Sequence, residues 1–247
     1  MAQNIYDTPD FFDGYSRLHR SVHGLDGAPE WSSILAVLPD IQGADIVDLG
    51  CGFGWFARWA ASQGAASVLG LDLSRNMLDR ARRDTKSPVV HYAIADLEHL
   101  DLPAESFNLA YSSLAFHYVE DFRRLARTVF RSIVQGGHFV FTIEHPIYMA
   151  PARPGWQVGP DGKKTWPIDR YAIEGIRTTD WLAKGVVKHH RTIGTTLNTL
   201  IGAGFTIRHV EEWRPTDEQV AALPTLHEEL ERPMIMLVSC VKQVQPG

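Results

Sequence analysis

Asp45-Ile46-Val47-Asp48-Leu49-Gly50-Cys51-Gly52-Phe53-Gly54-Trp55-Phe56-Ala57 decides the fold. Its opening places Ile46, Val47 and Leu49 in a short apolar run, the pattern of a buried strand. Trp55, Phe56, Trp59 and Ala60 then recur at helical spacing. Glycines at 50, 52 and 54 join the two. A glycine-rich turn from strand to helix admits backbone angles that a Cβ forbids and lets a ligand approach the main chain closely. It also aims the unpaired amides of the helix start at that ligand. A dinucleotide fingerprint, G-x-G-x-x-G, needs glycine at 55. Trp55 stands there instead, and the third glycine falls one residue early.

Outward from this stretch the chain alternates strands and helices, the signature of an α/β sheet. Strands are expected at 45–49, 67–71, 89–94, 107–111 and 138–143. Helices are expected at 54–62, from the N-cap Ser74 through Arg83, and at 121–134. A late helix at 192–201 stops at Gly202-Ala203-Gly204, and 205–210 and 234–241 read as two final strands. Before the sheet, 6–20 reads as an aromatic and charged arm, and 29–38 as a helix. Residues 145–191 break the alternation with prolines, glycines and three tryptophans, Trp156, Trp166 and Trp181. Aromatics need burial, so this long connection reads as a cap rather than a disordered tract. The expected organisation is a single domain over 1–247, with an arm (1–40), a ligand-binding core (41–144), the cap (145–191) and a final helix and strand pair (192–247).

Two acids follow the glycine loop in order. Asp72 ends the second strand about twenty residues beyond the first glycine, where an acid accepts hydrogen bonds from ribose hydroxyls. Asp96-Leu97 follows the third strand. Together, Asp-x-Gly-x-Gly-x-Gly from Asp48, Asp72, Asp96-Leu97 and the turn Gln135-Gly136-Gly137 resemble the ordered motifs of class I methyltransferases that use S-adenosylmethionine. The family's common Pro-Gly-Gly has Gln135 in place of proline, a change in turn rigidity. The resemblance covers about residues 45–143 and is nearest to the small-molecule branch that includes ubiquinone- and biotin-pathway methyltransferases.

That resemblance implies a Rossmann-like, doubly wound, seven-stranded and mostly parallel sheet with an antiparallel final strand. It implies S-adenosylmethionine as cofactor, S-adenosylhomocysteine as product and a methyl acceptor, here a small molecule. Asp48 would help hold the cofactor's amino group, with Gly50, Cys51 and Gly52 under the methionine part. Asp72 and Leu73 would meet the ribose, and Asp96 and Leu97 the adenine. Ser112, leaving the fourth strand, completes the expected cofactor set. Tyr15 and Arg20 join it from the arm, Arg20 being suited to a carboxylate.

Methyl transfer from an activated sulfonium needs little beyond placing the acceptor in line. A base is needed only when the acceptor carries a tight proton, and histidine suits that task. His117, beyond the fourth strand, is the first candidate. Glu144 and His145, leaving the fifth, are the alternatives, and His190 with Arg191 is more distant. Trp166, Tyr171 and Trp181 are candidate walls of the acceptor site. No metal site is expected.

The 247 residues carry a formal net charge of −5 and 45% hydrophobic residues. That balance argues for a solvated surface and against a nucleic-acid face. No stretch approaches a membrane span and residues 1–10 are polar, so no membrane association is expected. Cys51 and Cys240 make no disulfide framework, and the default is a cytoplasmic protein with reduced thiols. Cys51 reads as a small residue tolerated in the loop rather than a nucleophile. A nicotinamide or flavin oxidoreductase and a non-catalytic adenosyl-binding protein are the rivals. Trp55 and the Asp96 motif weigh against the first.

Overall fold

The apolar run of the organising stretch forms β1 (Asp45–Leu49), buried from Ile46 onward. In this computed structural model, which describes residues 3–244, four further parallel strands follow in chain order. They are β2 (Ser67–Asp72), β3 (Val90–Ile94), β4 (Phe107–Ser113) and β5 (Ile133–Glu144). Two hairpins come next, β6 (Gln157–Val158) with β7 (Lys164–Thr165), and β8 (Gly175–Trp181) with β9 (Ala183–His190). β10 (Thr206–Trp213) and β11 (Ile235–Val241) complete the main sheet, ordered β3-β2-β1-β4-β5-β11-β10. β11 runs antiparallel to both neighbours. The expected seven-stranded, mostly parallel sheet with one antiparallel strand is what the chain forms.

Strand parity builds a core on each face. Val47, Phe139 and Phe141 face one cluster, while Ile46, Leu109 and Val140 face the other. Such double burial explains the apolar runs of β1 and β11, since a sheet covered on both faces has no water-facing side. The helix Phe122–Ser132 repeats its buried residues at Phe122, Leu125, Ala126 and Val129, and Asp121 caps it by accepting from the Arg124 amide. Ser74 caps Arg75–Asp84 by accepting from the Met77 amide, as expected. Between β1 and β4 the strand order reverses, and the crevice at the carboxyl ends of such strands is where open α/β sheets bind ligands.

Several boundaries shift. β4 runs to Ser113, two residues past the expected end, and β5 begins at Ile133. The arm resolves into helices Pro9–Ser16 and His19–His23, and the later helix spans Trp31–Val37. The first residues of the arm are tied to the cap on one side and to the core on the other. Gln3 donates to the Gly185 carbonyl and accepts from the Val187 amide of the cap hairpin. Asp7 accepts from the Ser74 hydroxyl and from the Arg75 and Asn76 amides at the start of a core helix. Arm and hairpin therefore form a cover over the carboxyl ends of β1 and β4.

Candidate active site

Two open cavities, of about 640 and 740 Å³, meet at Tyr15, Gly50, Gly52 and Ser113. The smaller is bounded by Arg20, Glu30, Asp48, Cys51 and Trp55. The larger is bounded by Asp72, Leu73, Met77, Asp96, Leu97 and Tyr118, among others. The glycine loop is their shared floor. Gly50 has φ +76°, and a Cβ there would lie 2.5 Å from the Ala115 Cβ. Gly52 has φ +52°, and its missing Cβ faces open space, so the main chain itself forms the cavity wall.

Asp72 fixes the loop. One carboxylate oxygen accepts from the Gly52 amide at 2.9 Å, and the other from the Ser74 amide at 2.9 Å. Burial raises its pKa, and these two amides only partly offset that. A carboxylate has lone pairs left beyond two such bonds, so Asp72 can still accept from a ligand hydroxyl. Asp48 is 2% exposed, and its Oδ2 has no hydrogen-bond partner among the described residues. Burial, then the charge of Asp72, pushes its pKa well up. Glu30 is similarly buried. One oxygen pairs with Arg20 at 2.5 Å, while Oε2 has no partner among the described residues, and neither does the Trp55 indole N–H. Burial alone would lower the Arg20 pKa, but Glu30 outweighs it and holds the guanidinium charged.

The smaller cavity thus has buried acids with unused acceptors beside a fixed cation. That donor and acceptor set suits a zwitterionic amino acid, with Asp48 and Glu30 for an ammonium and Arg20 for a carboxylate. The larger cavity brings together Asp72, Asp96 and Leu97, the residues expected to meet a nucleoside. Asp96 caps the following turn through the Glu98 amide at 3.0 Å, and it lies beside Leu97 as expected. The residues present fit S-adenosylmethionine.

Of the expected cofactor residues, Tyr15, Arg20, Asp48, Gly50, Cys51, Gly52, Asp72, Leu73, Asp96 and Leu97 all border one cavity or both. Ser112 does not. It is buried and donates to the Leu49 carbonyl at 2.6 Å, binding β4 to β1. Ser113, one residue on and of opposite parity, faces both cavities. The Cys51 thiol is pushed well up by burial and by Asp48 and Asp72, which keeps it protonated. Glu30 and Trp55 were not expected in the site; Glu30 gains its place only through the fold of the arm.

Beyond Tyr118, and bordering neither cavity, lie His117, Glu144 and Lys188. Lys188 Nζ is 2.5 Å from Glu144 Oε1, and His117 Nε2 is 4.0 Å from the same oxygen. His117 is buried, and burial, with Lys188 and Arg191 nearby, holds its pKa well below the usual value. Its Nδ1 faces the Glu144 amide at 3.5 Å, which leaves the proton of the neutral ring on Nε2. The unperturbed pKa expected of this histidine is therefore corrected. His145 belongs elsewhere. Its Nε2 meets Glu212 of β10 at 2.8 Å and its Nδ1 accepts from the Ile147 amide, capping Pro146–Met149. Its side chain is wholly buried, and it borders neither cavity.

Among the expected walls, Trp181 packs edge-on against Phe11 and Tyr15. Trp166 instead stacks on Tyr148, with the Arg232 guanidinium 3.9 Å from its ring centroid. Tyr171 accepts from the Ile193 amide and braces the helix that follows the cap.

The comparisons with known proteins show the family. A family model described as "Methyltransferase domain" matches residues 47–141. The solved structure of an S-adenosylmethionine-dependent methyltransferase from Mesorhizobium loti is 64% identical, with a TM-score of 0.85 over 88% of this chain and 100% of that one. An uncharacterised protein of Haemophilus influenzae is 31% identical over 97% of both chains. A malonyl-[acyl-carrier protein] O-methyltransferase of Salmonella typhimurium is 34% identical over 51% of this chain, a match that spans about half of that enzyme (49%). The chain belongs to the class I S-adenosylmethionine-dependent methyltransferases. It is an enzyme that transfers a methyl group from that cofactor.

Proposed function

We propose that the methyl acceptor is a small molecule, admitted beneath the arm and the β8–β9 hairpin at the carboxyl ends of β4 and β5. The observation that carries this reading is the aromatic wall shared by arm, core and cap. Tyr6 packs edge-on against Phe11, Tyr15 and Tyr118, and Trp181 closes on Phe11 and Tyr15. The Tyr6 and Tyr118 hydroxyls meet at 3.1 Å. A covered aromatic site suits a compact, largely apolar acceptor better than a polymer. The two free cysteines suit a reducing, cytoplasmic setting.

When bound, the cofactor supplies a methyl group already activated by its sulfonium. The protein's own residues then bind and orient. Asp48, Glu30 and Arg20 hold the amino-acid end, and Asp72, Asp96 and Leu97 hold the nucleoside. Tyr15, at the junction of the cavities, shields the centre from water. His117, held neutral by burial, stands 4.0 Å from Glu144 Oε1, beyond hydrogen-bond reach, and is not the base.

The test compares Asp72→Ala and Trp181→Ala. Asp72→Ala should weaken S-adenosylhomocysteine by about 1–3 kcal/mol, the cost of a lost hydrogen bond to a charged group. Trp181→Ala should leave that affinity nearly unchanged while abolishing transfer to a panel of small acceptors from tritiated cofactor. Undiminished transfer by Trp181→Ala would remove the acceptor from this site.

A further inference from the structure

We propose that Glu144 selects an acceptor that carries a proton on its nucleophilic oxygen or nitrogen, with Lys188 of the cap hairpin as its positioning residue. This rests on the acceptor site proposed above. Lys188 comes from β9 and Glu144 from the end of β5, 44 residues apart in sequence. The lysine side chain is 4% exposed and the glutamate 18%. Their contact engages Oε1 alone. Oε2 is buried and has no hydrogen-bond partner among the described residues.

The surroundings sharpen the requirement. Lys188 Nζ also lies 5.2 Å from the Trp181 ring centroid, so the aromatic wall and the ion pair are one assembly. His117 faces Glu144 from the turn after β4. Tyr118, of the same turn, has its hydroxyl pKa raised by burial and then by Glu144. Tyr148, of helix Pro146–Met149, is pushed up to about 12 by burial and then by Glu144, with Arg232 opposing. Both phenols are neutral near pH 7. Among the described residues, the groups that face Glu144 thus supply one cation, Lys188. A further cation, Arg191, stands behind His117, donating to the Phe116 and Val119 carbonyls.

A buried carboxylate oxygen calls for a donor. A hydroxyl or amine acceptor brings one. A carboxylate acceptor brings a second negative charge against the first, and like charges at such distances disfavour one another. The balance of the step follows. The acceptor atom gains the methyl carbon, and the electron pair of the broken C–S bond stays with sulfur. The X–H proton passes to Glu144 Oε2, and from there to solvent on product release. Lys188 never touches the acceptor. It occupies Oε1 and so leaves Oε2 as the oxygen that receives the proton.

The experiment uses the full-length protein saturated with S-adenosylhomocysteine, with phenol, aniline and benzoate as probes in saturation-transfer NMR. The expected result is that phenol or aniline binds, benzoate does not, and Glu144→Gln weakens the bound probe at least tenfold. Lys188→Met should weaken it similarly, and Lys188→Arg should restore it, while S-adenosylhomocysteine affinity stays within twofold in all three. Because Glu144→Gln strands a buried lysine, the charge-neutral Glu144→Gln/Lys188→Met double variant is measured alongside and should also fail to hold the probe. With tritiated S-adenosylmethionine and the bound probe as acceptor, Lys188→Met should lower kcat at least tenfold and Lys188→Arg should recover it. Preferential binding of benzoate, no binding of phenol or aniline, or indifference of their binding to Glu144→Gln would overturn the assignment while leaving the cofactor site intact. Failure of S-adenosylhomocysteine to bind would overturn the cofactor site as well.

Discussion

Asp48→Asn should make the protein more stable and a poorer binder at the same time. Asp48 is buried, its Oδ2 has no partner among the described residues, and burial and then Asp72 hold its pKa well above the usual carboxylate value. The folded chain therefore holds this proton more tightly than the unfolded chain does. The stability tied to it is full below the unfolded pKa and is lost as pH rises through the folded pKa. Asparagine has no proton to lose. Each pH unit between the unfolded and the folded pKa is worth about 1.4 kcal/mol, and in a chain of this size each kcal/mol moves Tm by about 2–4 °C. Asp48→Asn should thus raise the apo-protein Tm at pH 8 by about 3–6 °C for each such unit, with the gain shrinking towards zero at pH 4. As proposed above, Asp48 ionises when it meets the cofactor's ammonium, and the variant loses that charged partner, worth about 1.5–3 kcal/mol, or roughly 10- to 150-fold in Kd. Scanning fluorimetry across pH 4–8 and titration calorimetry with S-adenosylhomocysteine read the two effects. A variant no more stable at pH 8, or one that binds with unchanged affinity, would refute the reasoning.

Asp7→Ala should release the arm. Burial would raise the Asp7 pKa, but the Ser74, Asn76, Asn4 and Arg75 bonds outweigh it and lower the value, so its contribution holds above the unfolded pKa and fades as pH falls through the folded one. Removing this cap should cost about 1 kcal/mol, seen as faster amide exchange over residues 3–16 and faster release of S-adenosylhomocysteine. His117→Asn should abolish an acid-side weakness. A histidine held below its ordinary pKa contributes stability above about pH 6.5 that is lost as pH falls towards its folded value, so the variant's Tm should fall less than the wild type's between pH 7 and pH 5.

The cofactor half of the site was largely legible because it is local. A strand with an acid at or near its end recurs at β1, β2 and β3, the glycine loop follows β1, and parallel strands present their carboxyl ends together. Ser112 failed by parity: β4 continues past Tyr111, and a single residue exchanges the face that meets the cavity. The cap hairpin stayed hidden because its pattern is inverted. Ile176 points to solvent while Arg177 is buried, its guanidinium donating to the Ala150, Arg170, Ile173 and Ile176 carbonyls. His145 did carry a readable signal, since a histidine before Pro146 can cap a helix whose first residue is proline. The Glu144–Lys188 pair carried none. Its partners meet only once the cap has folded back over β5, and no local spacing encodes that.

The most direct test of the central claim is a crystal structure of the complex with S-adenosylhomocysteine. The account predicts one ligand spanning both cavities over Gly50 and Gly52, its nucleoside beside Asp72, Asp96 and Leu97 and its amino-acid end beside Asp48, Glu30 and Arg20. A ligand bound in the reverse direction, or outside these two cavities, would contradict it.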